Sequence, residues 1–506
     1  LDNITDMGKD KYDLIVGLEI HIQTKTKSKM FCSCPTGYFH EKPNTHVCPV
    51  CLGLPGALPV PNKRALELCI LMGLATKCEI NNEIYFDRKH YFYPDLPKGY
   101  QISQYKQPIC SNGKVQLSNS TIEIERIHQE EDVAKSTHHI ESGTGLNYSL
   151  IDYNKSGVPL IEIVTKPCIK SSKEAKEYAT RIRQIARYLN ISNADMEKGQ
   201  MRCEPNISIQ EKGRWEYKDG EIKAIGNYKL NPKVEVKNIG SITAVEKSIE
   251  YEFKRLSEAL ENGEKIVQQT RGWNADRGLT EFQRSKETAD DYRYMAEPDI
   301  PVIEISKDDI SRISKELVEL PHEKMKRYKE DFKLSDYDSQ VLSAEREVAE
   351  FFDTLIKKID EEIKDLSMSA KLSSNCITST VFSYLNEKGI SISEANLNLN
   401  DLVKWNLALH RNEITKNKAE ELLKKSLDEN EDLSDLLDEF RAKAKKSASG
   451  LEDIVKEVIK NNPNAVNDYK AGKKASLGFL IGQVMQKTQG TADPNEARSI
   501  LIEELE

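Results

Sequence analysis

The spacing of hydrophobic residues changes period once along this 506-residue chain, near Lys307. Before that point short alternating runs dominate. Asp13-Leu-Ile-Val-Gly-Leu-Glu-Ile-His-Ile, Thr121-Ile-Glu-Ile-Glu-Arg-Ile, Leu160-Ile-Glu-Ile-Val, Asn206-Ile-Ser-Ile and Val234-Glu-Val-Lys each read as a strand. One side of these strands is apolar and the other carries Glu, His, Lys and Arg. Lys63 to Thr76 and Ser172 to Tyr188 interrupt them with apolar residues three and four apart, the helical spacing. Beyond Lys307 the sequence is Lys/Glu/Leu-rich and helical. Val341, Ala344, Val348, Phe352, Leu355 and Ile359 share one helix face behind an N-cap at Ser335 or Asp336. Asn461-Asn-Pro breaks the pattern before the last one or two helices. The expected fold class is therefore α+β. A β-rich domain covers 1–300, a helical connecting region 301–358, and a helical tail domain 359–506. The polar face of such a sheet is either water-covered or a binding floor.

Composition narrows the function. With 38% apolar and 31% charged residues the chain can build large cores. No apolar run approaches the roughly 18 residues of a membrane helix, so no membrane role is expected. The first ten residues show neither an apolar core nor an Arg-rich amphipathic pattern. A cytoplasm of bacterial type is the expected setting, with an organelle as the other. A net charge of −9 speaks against a generic polyanion binder but leaves room for a local basic face.

Nine of the ten cysteines precede residue 204, and clustered cysteines without a secretory signal point to metal or thiol chemistry. Cys32-Ser-Cys34 and Cys48-Pro-Val-Cys51 stand 13 residues apart. Two tight thiol pairs at that distance can close a tetrahedral zinc site, structural because no ligand position stays open; otherwise they are four reduced thiols. His40 and His46, inside the loop, read as surface residues.

Glu19 and His21 are two apart and share a strand face. His128-Gln-Glu130-Glu131-Asp132, the run from Asp152 through Lys155 to Glu162, and Glu197 through Arg202 and Glu204 to Asn206 add carboxylates and cations at strand ends. Oxygen ligands for a hard cation, with Lys and Arg beside them, are what magnesium-assisted phosphoryl transfer needs. Each run taken singly also fits a solvated edge. Phe86 to Gln104 interleaves aromatics with Arg88, Lys89 and polar groups, which suits stacking on bases or packing on the sheet. Thr270-Arg-Gly-Trp273, Ser285-Lys-Glu287 and Asp291-Tyr-Arg-Tyr294 have the same character. No G-x-x-x-x-G-K-[ST], G-x-G-x-x-G or G-x-S-x-G element is present, so any nucleotide chemistry uses an uncommon fold.

Gly17-Leu-Glu-Ile-His21, Phe86-Asp-Arg-Lys-His-Tyr-Phe-Tyr-Pro-Asp95, Gln129-Glu-Glu-Asp132, Gly157-Val-Pro-Leu-Ile-Glu162, Asp291-Tyr-Arg-Tyr294 and Gly478-Phe-Leu-Ile-Gly-Gln-Val-Met485, in this order, resemble one family. It is that of the B subunits of the aspartyl/glutamyl-tRNA(Asn/Gln) amidotransferases, and the resemblance extends over nearly the whole chain. It implies a carbon–nitrogen ligase using glutamine as amido donor. ATP phosphorylates the side-chain carboxylate of mischarged Glu-tRNA(Gln) or Asp-tRNA(Asn), and ammonia replaces the phosphate. The implied assembly is a heterotrimer, in which an amidase partner supplies the ammonia and a small third partner ties the two together. The missing amidase signature agrees with that division of labour.

The resemblance further implies a cradle-like catalytic domain whose acidic floor holds ATP and Mg²⁺. Glu19, His21 and Glu130 are the expected magnesium residues, with Glu131, Glu162 and Glu204 as further catalytic groups. Lys89, Tyr91, Lys155, Arg202 and Arg293 are expected at ATP or the tRNA 3′ end. Lys155 stands where the family has Arg, which keeps the charge but not a bidentate contact. Met295-Ala296 stands where Phe-Pro is usual. Cys32, Cys34, Cys48 and Cys51 would hold structural zinc, which some family members lack. In the helical tail, Lys470, Lys473 and Lys474 are expected at the tRNA, and Gly478 and Gly482 would permit close helix packing. The competing reading is a non-catalytic zinc-stabilised tRNA-binding or assembly protein.

Overall fold

The computed structural model describes every residue except 1–9, 141–146, 286–291, 449, 489–491, 493 and 506. The chain divides into two units, 1–320 and 321–506.

The first unit is built on a nine-stranded sheet. Its strands are β1 (Tyr12–Gln23), β2 (Glu79–Ile80), β3 (Cys110–Gln116), β4 (Thr121–Glu131), β5 (Pro159–Thr165), β6 (Met201–Glu211), β7 (Val234–Lys237), β8 (Gln269–Asn274) and β9 (Leu279–Ser285). Their order is β9-β8-β7-β6-β1-β5-β4-β3-β2. Neighbours are antiparallel except β7 and β8, which run parallel because helix α3 crosses over between them. Helices α1 (Lys63–Ala75), α2 (Ser172–Tyr188) and α3 (Ile242–Glu261) start at the side-chain caps Asn62, Ser171 and Ser241.

The alternation expected from sequence sorts the two faces of this sheet. Leu18, Ile20, Ile22, Ile161, Ile163, Cys203, Ile207, Val234 and Val236 are buried in one core with Leu68, Ile182, Ile185, Val245 and Ile249 of the helices. The polar positions between them face the other way. Helix α4 (Lys307–Ser314) also belongs here: Ile313 and Leu320 enter this core, and Arg312 bonds Glu67 at 2.8 Å. Residues just past the expected boundary at 300 thus pack with the first unit. A small three-stranded sheet, Asp87–His90 between Tyr100–Ser103 and Met295–Ala296, carries Lys89, Gln101 and Ser103.

The second unit is helical. Its apolar residues form one cluster from Tyr328 to Phe440 and another from Leu451 to Leu505. The break between clusters falls after Phe440, not near residue 360. A boundary at 358/359 would cut helix α5 (Arg346–Ile363). The apolar stripe from Val341 to Ile359 is shared by two helices. Ser335 caps Asp336–Leu342, accepting from Asp338 N at 3.0 Å, and the chain turns through Ser343 to Glu345 before α5. Beyond Asn462 there are three helices, Pro463–Lys470, Ala475–Lys487 and Pro494–Leu505, where one or two were expected. No close approach occurs at Gly478 or Gly482: a methyl group on either would meet nothing within 4 Å among the described residues. No described helix is long and apolar enough to cross a membrane.

Candidate active site

Strand register assembles the site. In β1, His21 lies opposite Glu162 of β5 and Arg202 of β6, and Glu162 lies opposite His128 of β4. Two residues along, Glu19 lies opposite Glu204 of β6. Asn206 lies opposite Glu235 of β7, which leads to Thr270 and Arg284 on β8 and β9. Because successive side chains alternate faces, these rows, Asn206 apart, point into one cavity of about 300 Å³. Lys89, Gln101, Ser103, Tyr105, Tyr292 and Tyr294 also line it.

The acidic groups form two triads. His21, Glu130 and Glu162 have ligand atoms within 4.8 Å of one another, and so do Glu19, Glu204 and Glu235. The expected set Glu19, His21 and Glu130 is therefore split between them. The second triad offers three carboxylate oxygens, the donor set a hard divalent cation favours; the first includes an imidazole, which magnesium takes less readily.

Each triad holds a protein cation. His128 Nε2 lies 3.4 Å from Glu130 and 3.2 Å from Glu162, and His21 Nε2 lies 3.4 Å from Glu162. Burial works against protonation of His128, but Glu162 and Glu130 push its imidazole up to about 9. Burial also opposes ionisation of Glu162, yet His128 and His21 hold it well below the usual carboxylate range. In the second triad Lys237 Nζ bonds Glu204 at 2.8 Å and lies 3.6 Å from Glu235. Burial resists charge on Glu204, and Lys237 outweighs it, holding the carboxyl down to about 2. Burial, then Glu162, Glu204 and Glu235, push Glu19 up. Asn206 donates to Glu19 at 2.8 Å and Thr270 to Glu235 at 2.9 Å.

Glu130 also accepts from Ser103 at 2.6 Å and Gln101 at 3.2 Å. Lys89 is a half-buried ammonium near it; desolvation disfavours its charge, but Glu130, Tyr294 and Glu162 raise its pKa above that of an ordinary lysine. Its Nζ sits 4.8 Å above the Tyr292 ring, and Tyr105 and Tyr294 stack with centroids 4.4 Å apart.

The remaining expected residues stand as follows. Tyr91 lines the cavity, packed edge-on to Tyr292. Glu131, next to Glu130 on a strand, faces the other way and pairs with Lys98. Lys155 does not line the cavity. It grips Asp132 at 3.0 Å while Arg202, which does line it, holds the same carboxylate at 2.9 Å. Arg293 is exposed with φ +43°, and the neighbours Tyr292 and Tyr294 turn in instead. Lys286, Glu287 and Asp291 lie outside the described residues. Arg126, Glu235, Lys237 and Arg284 join the site without having been named for it, while His128, Thr270, Tyr292 and Tyr294 come from stretches singled out in the sequence but without a role of their own. Arg126 and His128 were findable, being four and two residues from Glu130 on one strand.

In the same unit one sulfur from each of Cys32, Cys34, Cys48 and Cys51 lies within 4.8 Å of the others. Zn–S bonds of about 2.3 Å give tetrahedral edges of about 3.8 Å, so four thiolates here fit zinc. Cys48 N donates to Cys51 Sγ at 3.2 Å, so one sulfur of the set already accepts from a backbone amide. In the second unit Lys470 and Lys474 are exposed beside the turn between two helices, and Lys473 bonds Asp468 at 2.9 Å.

Similarity to known proteins gives the class of the first unit, that of the amidotransferase catalytic domains. Residues 14–311 match the family described as GatB/GatE catalytic domain, and residues 350–505 the family described as GatB domain. The chain is 42% identical over 500 residues to the B subunit of the aspartyl/glutamyl-tRNA(Asn/Gln) amidotransferase of Thermotoga neapolitana, with 98% of this chain and 99% of that one covered. The proteins of the same name from Thermotoga maritima and Dehalococcoides mccartyi are each 41% identical, over 98% of this chain and 99% of theirs. The chain belongs to the family of aspartyl/glutamyl-tRNA(Asn/Gln) amidotransferase B subunits.

Proposed function

We propose that this chain carries out the ATP-dependent amidation of Glu-tRNA(Gln), Asp-tRNA(Asn) or both, within a heterotrimer that includes an amidase partner and a small third partner. The observation that carries the reading is the meeting of two triads of metal-competent side chains with Lys89, Arg126, Arg202, Lys237 and Arg284 in one cavity.

A carboxylate is a poor electrophile towards ammonia. Its oxygen attacks the γ-phosphorus of ATP, the bond to the β-phosphate oxygen breaks, and ADP leaves. Ammonia then attacks the acyl carbon and phosphate departs, leaving the amide. The cationic side chains of the cavity would balance the charge of the phosphates. Mg²⁺, when bound, would neutralise the transferring phosphate; Glu19, Glu204 and Glu235 are its best-suited ligands, with His21, Glu130 and Glu162 beside them. Ser103 and Gln101 hold the Glu130 carboxylate in place. The Tyr105–Tyr294 stack offers an aromatic face to the adenine of ATP or of the tRNA end. The cysteines would hold structural zinc, and Lys470, Lys473 and Lys474 would meet tRNA phosphates. The expected place of work is a bacterial-type cytoplasm.

The test combines the purified chain with its amidase partner, glutamine, ATP, Mg²⁺ and each mischarged tRNA. ADP and amidated aminoacyl-tRNA should form together and both should vanish in Glu130→Gln. Retained tRNA binding with no ADP from the wild type would instead support a non-catalytic tRNA-binding protein.

A further inference from the structure

Lys29 is 1% exposed, yet among the described residues no carboxylate lies within ion-pair distance of it. Its Nζ donates to His46 O at 2.7 Å and Tyr153 O at 3.2 Å, and lies 3.8 Å from Cys51 Sγ. A buried ammonium without an anion is costly by several kcal/mol, and two carbonyl dipoles offset only part of that. Of its three partners only the sulfur can carry a negative charge. Four thiolates around one zinc ion leave a net charge of −2 on the centre.

We propose that Lys29 is the counter-cation of a metal-loaded four-cysteine centre, and that through it the centre holds the loop 152–158, whose Lys155 grips the cavity-lining Asp132. The inference rests on the reading that these cysteines hold zinc. The loop lies directly on the cysteine segment. Met30 N donates to Gly157 O at 2.7 Å, and His46 N to Asn154 Oδ1 at 2.7 Å. Asn154 Nδ2 donates to Lys42 O at 2.8 Å. Gly157 has φ +85°, and a methyl group there would stand 3.4 Å from Lys29 Cδ and 3.6 Å from Cys51 Cβ. The same loop presents Lys155 to Asp132, and Gly157 N donates to Asp132 O at 2.9 Å. Contacts therefore run from Cys51 through Lys29 to Tyr153 of the loop, and from Lys155 and Gly157 of the same loop to Asp132 and so to Arg202. Lys29 is a positioning residue: the loop stays registered on the cysteine segment while the charge of the centre is matched.

The test uses the full chain. Zinc content is measured first, then zinc transfer to a chromophoric chelator, the sulfur-to-metal charge-transfer band of the cobalt-substituted protein, and hydrogen exchange of residues 152–158. Lys29→Met should weaken zinc retention by about 10- to 100-fold and shift the cobalt band, and Lys29→Arg should recover both. Removing zinc from the wild type should speed exchange in 152–158 and leave helix Ser172–Tyr188 protected. Lys29→Gln replaces Lys29→Met if the latter does not fold. Wild-type protein without zinc would overturn the zinc reading and this inference with it. Zinc-loaded wild type with unchanged retention and band in Lys29→Met would overturn the charge role alone. Unchanged loop exchange after zinc removal would overturn the coupling.

Discussion

His128 and Glu162 face each other across neighbouring strands with Nε2 and Oε2 3.2 Å apart, both side chains almost wholly shielded from water. The imidazole is also 3.4 Å from Glu130, so it separates two buried carboxylates. Replacing His128 by Leu should cost about 3–5 kcal/mol of stability in metal-free urea unfolding, the penalty of an uncompensated buried charge. Adding Glu162→Gln to that variant should restore part of the loss. Additive losses in the double variant would mean the two do not interact.

Asp132 gives a pH dependence. Burial works against its ionisation, but Arg202 and Lys155 hold its carboxyl far below the ordinary range. Its folded pKa is thus depressed. The stability it contributes is fully present above its unfolded pKa of about 3.9, and is lost as pH falls from there towards the folded value. Asp132→Asn should unfold about 3 kcal/mol more easily at pH 7, and its stability should fall less than the wild type's on acidification. Parallel stability curves from pH 7 to 3 would rule this out.

The aromatic wall should matter for nucleotide more than for folding. Tyr105 and Tyr294 stack at an interplanar angle of 14°, beside Lys89 over Tyr292. Losing one base-stacking partner costs about 1–3 kcal/mol, so Tyr294→Ala should raise KM for ATP or for mischarged tRNA at least about fivefold. The substrate whose KM moves identifies the base; unchanged values for both would show the stack to be packing only.

A fully buried acid holds the far edge of the sheet. Glu252 of α3 accepts from Arg255 at 2.6 Å, lies 3.3 Å from Arg271 of β8, and takes a bond from Thr280 of β9. Glu252→Gln leaves two guanidinium groups without their anion. A loss of about 3–5 kcal/mol in urea unfolding is expected, with ADP formation reduced because the same strands carry Thr270 and Arg284. Wild-type stability in this variant would contradict it.

The basic turn of the second unit is tested through salt. Changing Lys470, Lys473 and Lys474 together to Ala should weaken tRNA binding and lower the slope of log affinity against log salt by about 2–3. An unchanged slope would remove these lysines from the tRNA interface.

Much of this was legible because side-chain alternation is local. Glu19 with His21, and Glu204 with Arg202, could be put on one face from spacing alone. The same rule, applied to Glu130 and Glu131, separates them: adjacent strand residues do not share a floor, and Glu131 points to Lys98. Glu235, Lys237, Thr270 and Arg284 were illegible for a different reason. They join the site through pairings of β6, β7, β8 and β9 that no short window contains. Arg293, with left-handed backbone at a turn, is exposed, while its neighbours Tyr292 and Tyr294 line the cavity. In the second unit the stripe from Val341 to Ile359 keeps helical spacing across a turn, so periodicity alone hid the break.

The pairing of β1 with β6 is continuous over eleven residues, from Tyr12 against Glu211 to Ile22 against Met201. A single-residue insertion in either strand would turn Ile20 and Ile22 towards solvent and bury Glu19 and His21 among aliphatic side chains. Folding and chemistry would then fail together. Descendants of this chain can therefore gain or lose residues in the connections between strands, but along β1 and β6 they can change only by substitution, and the alignment of the ionic groups is inherited with the core.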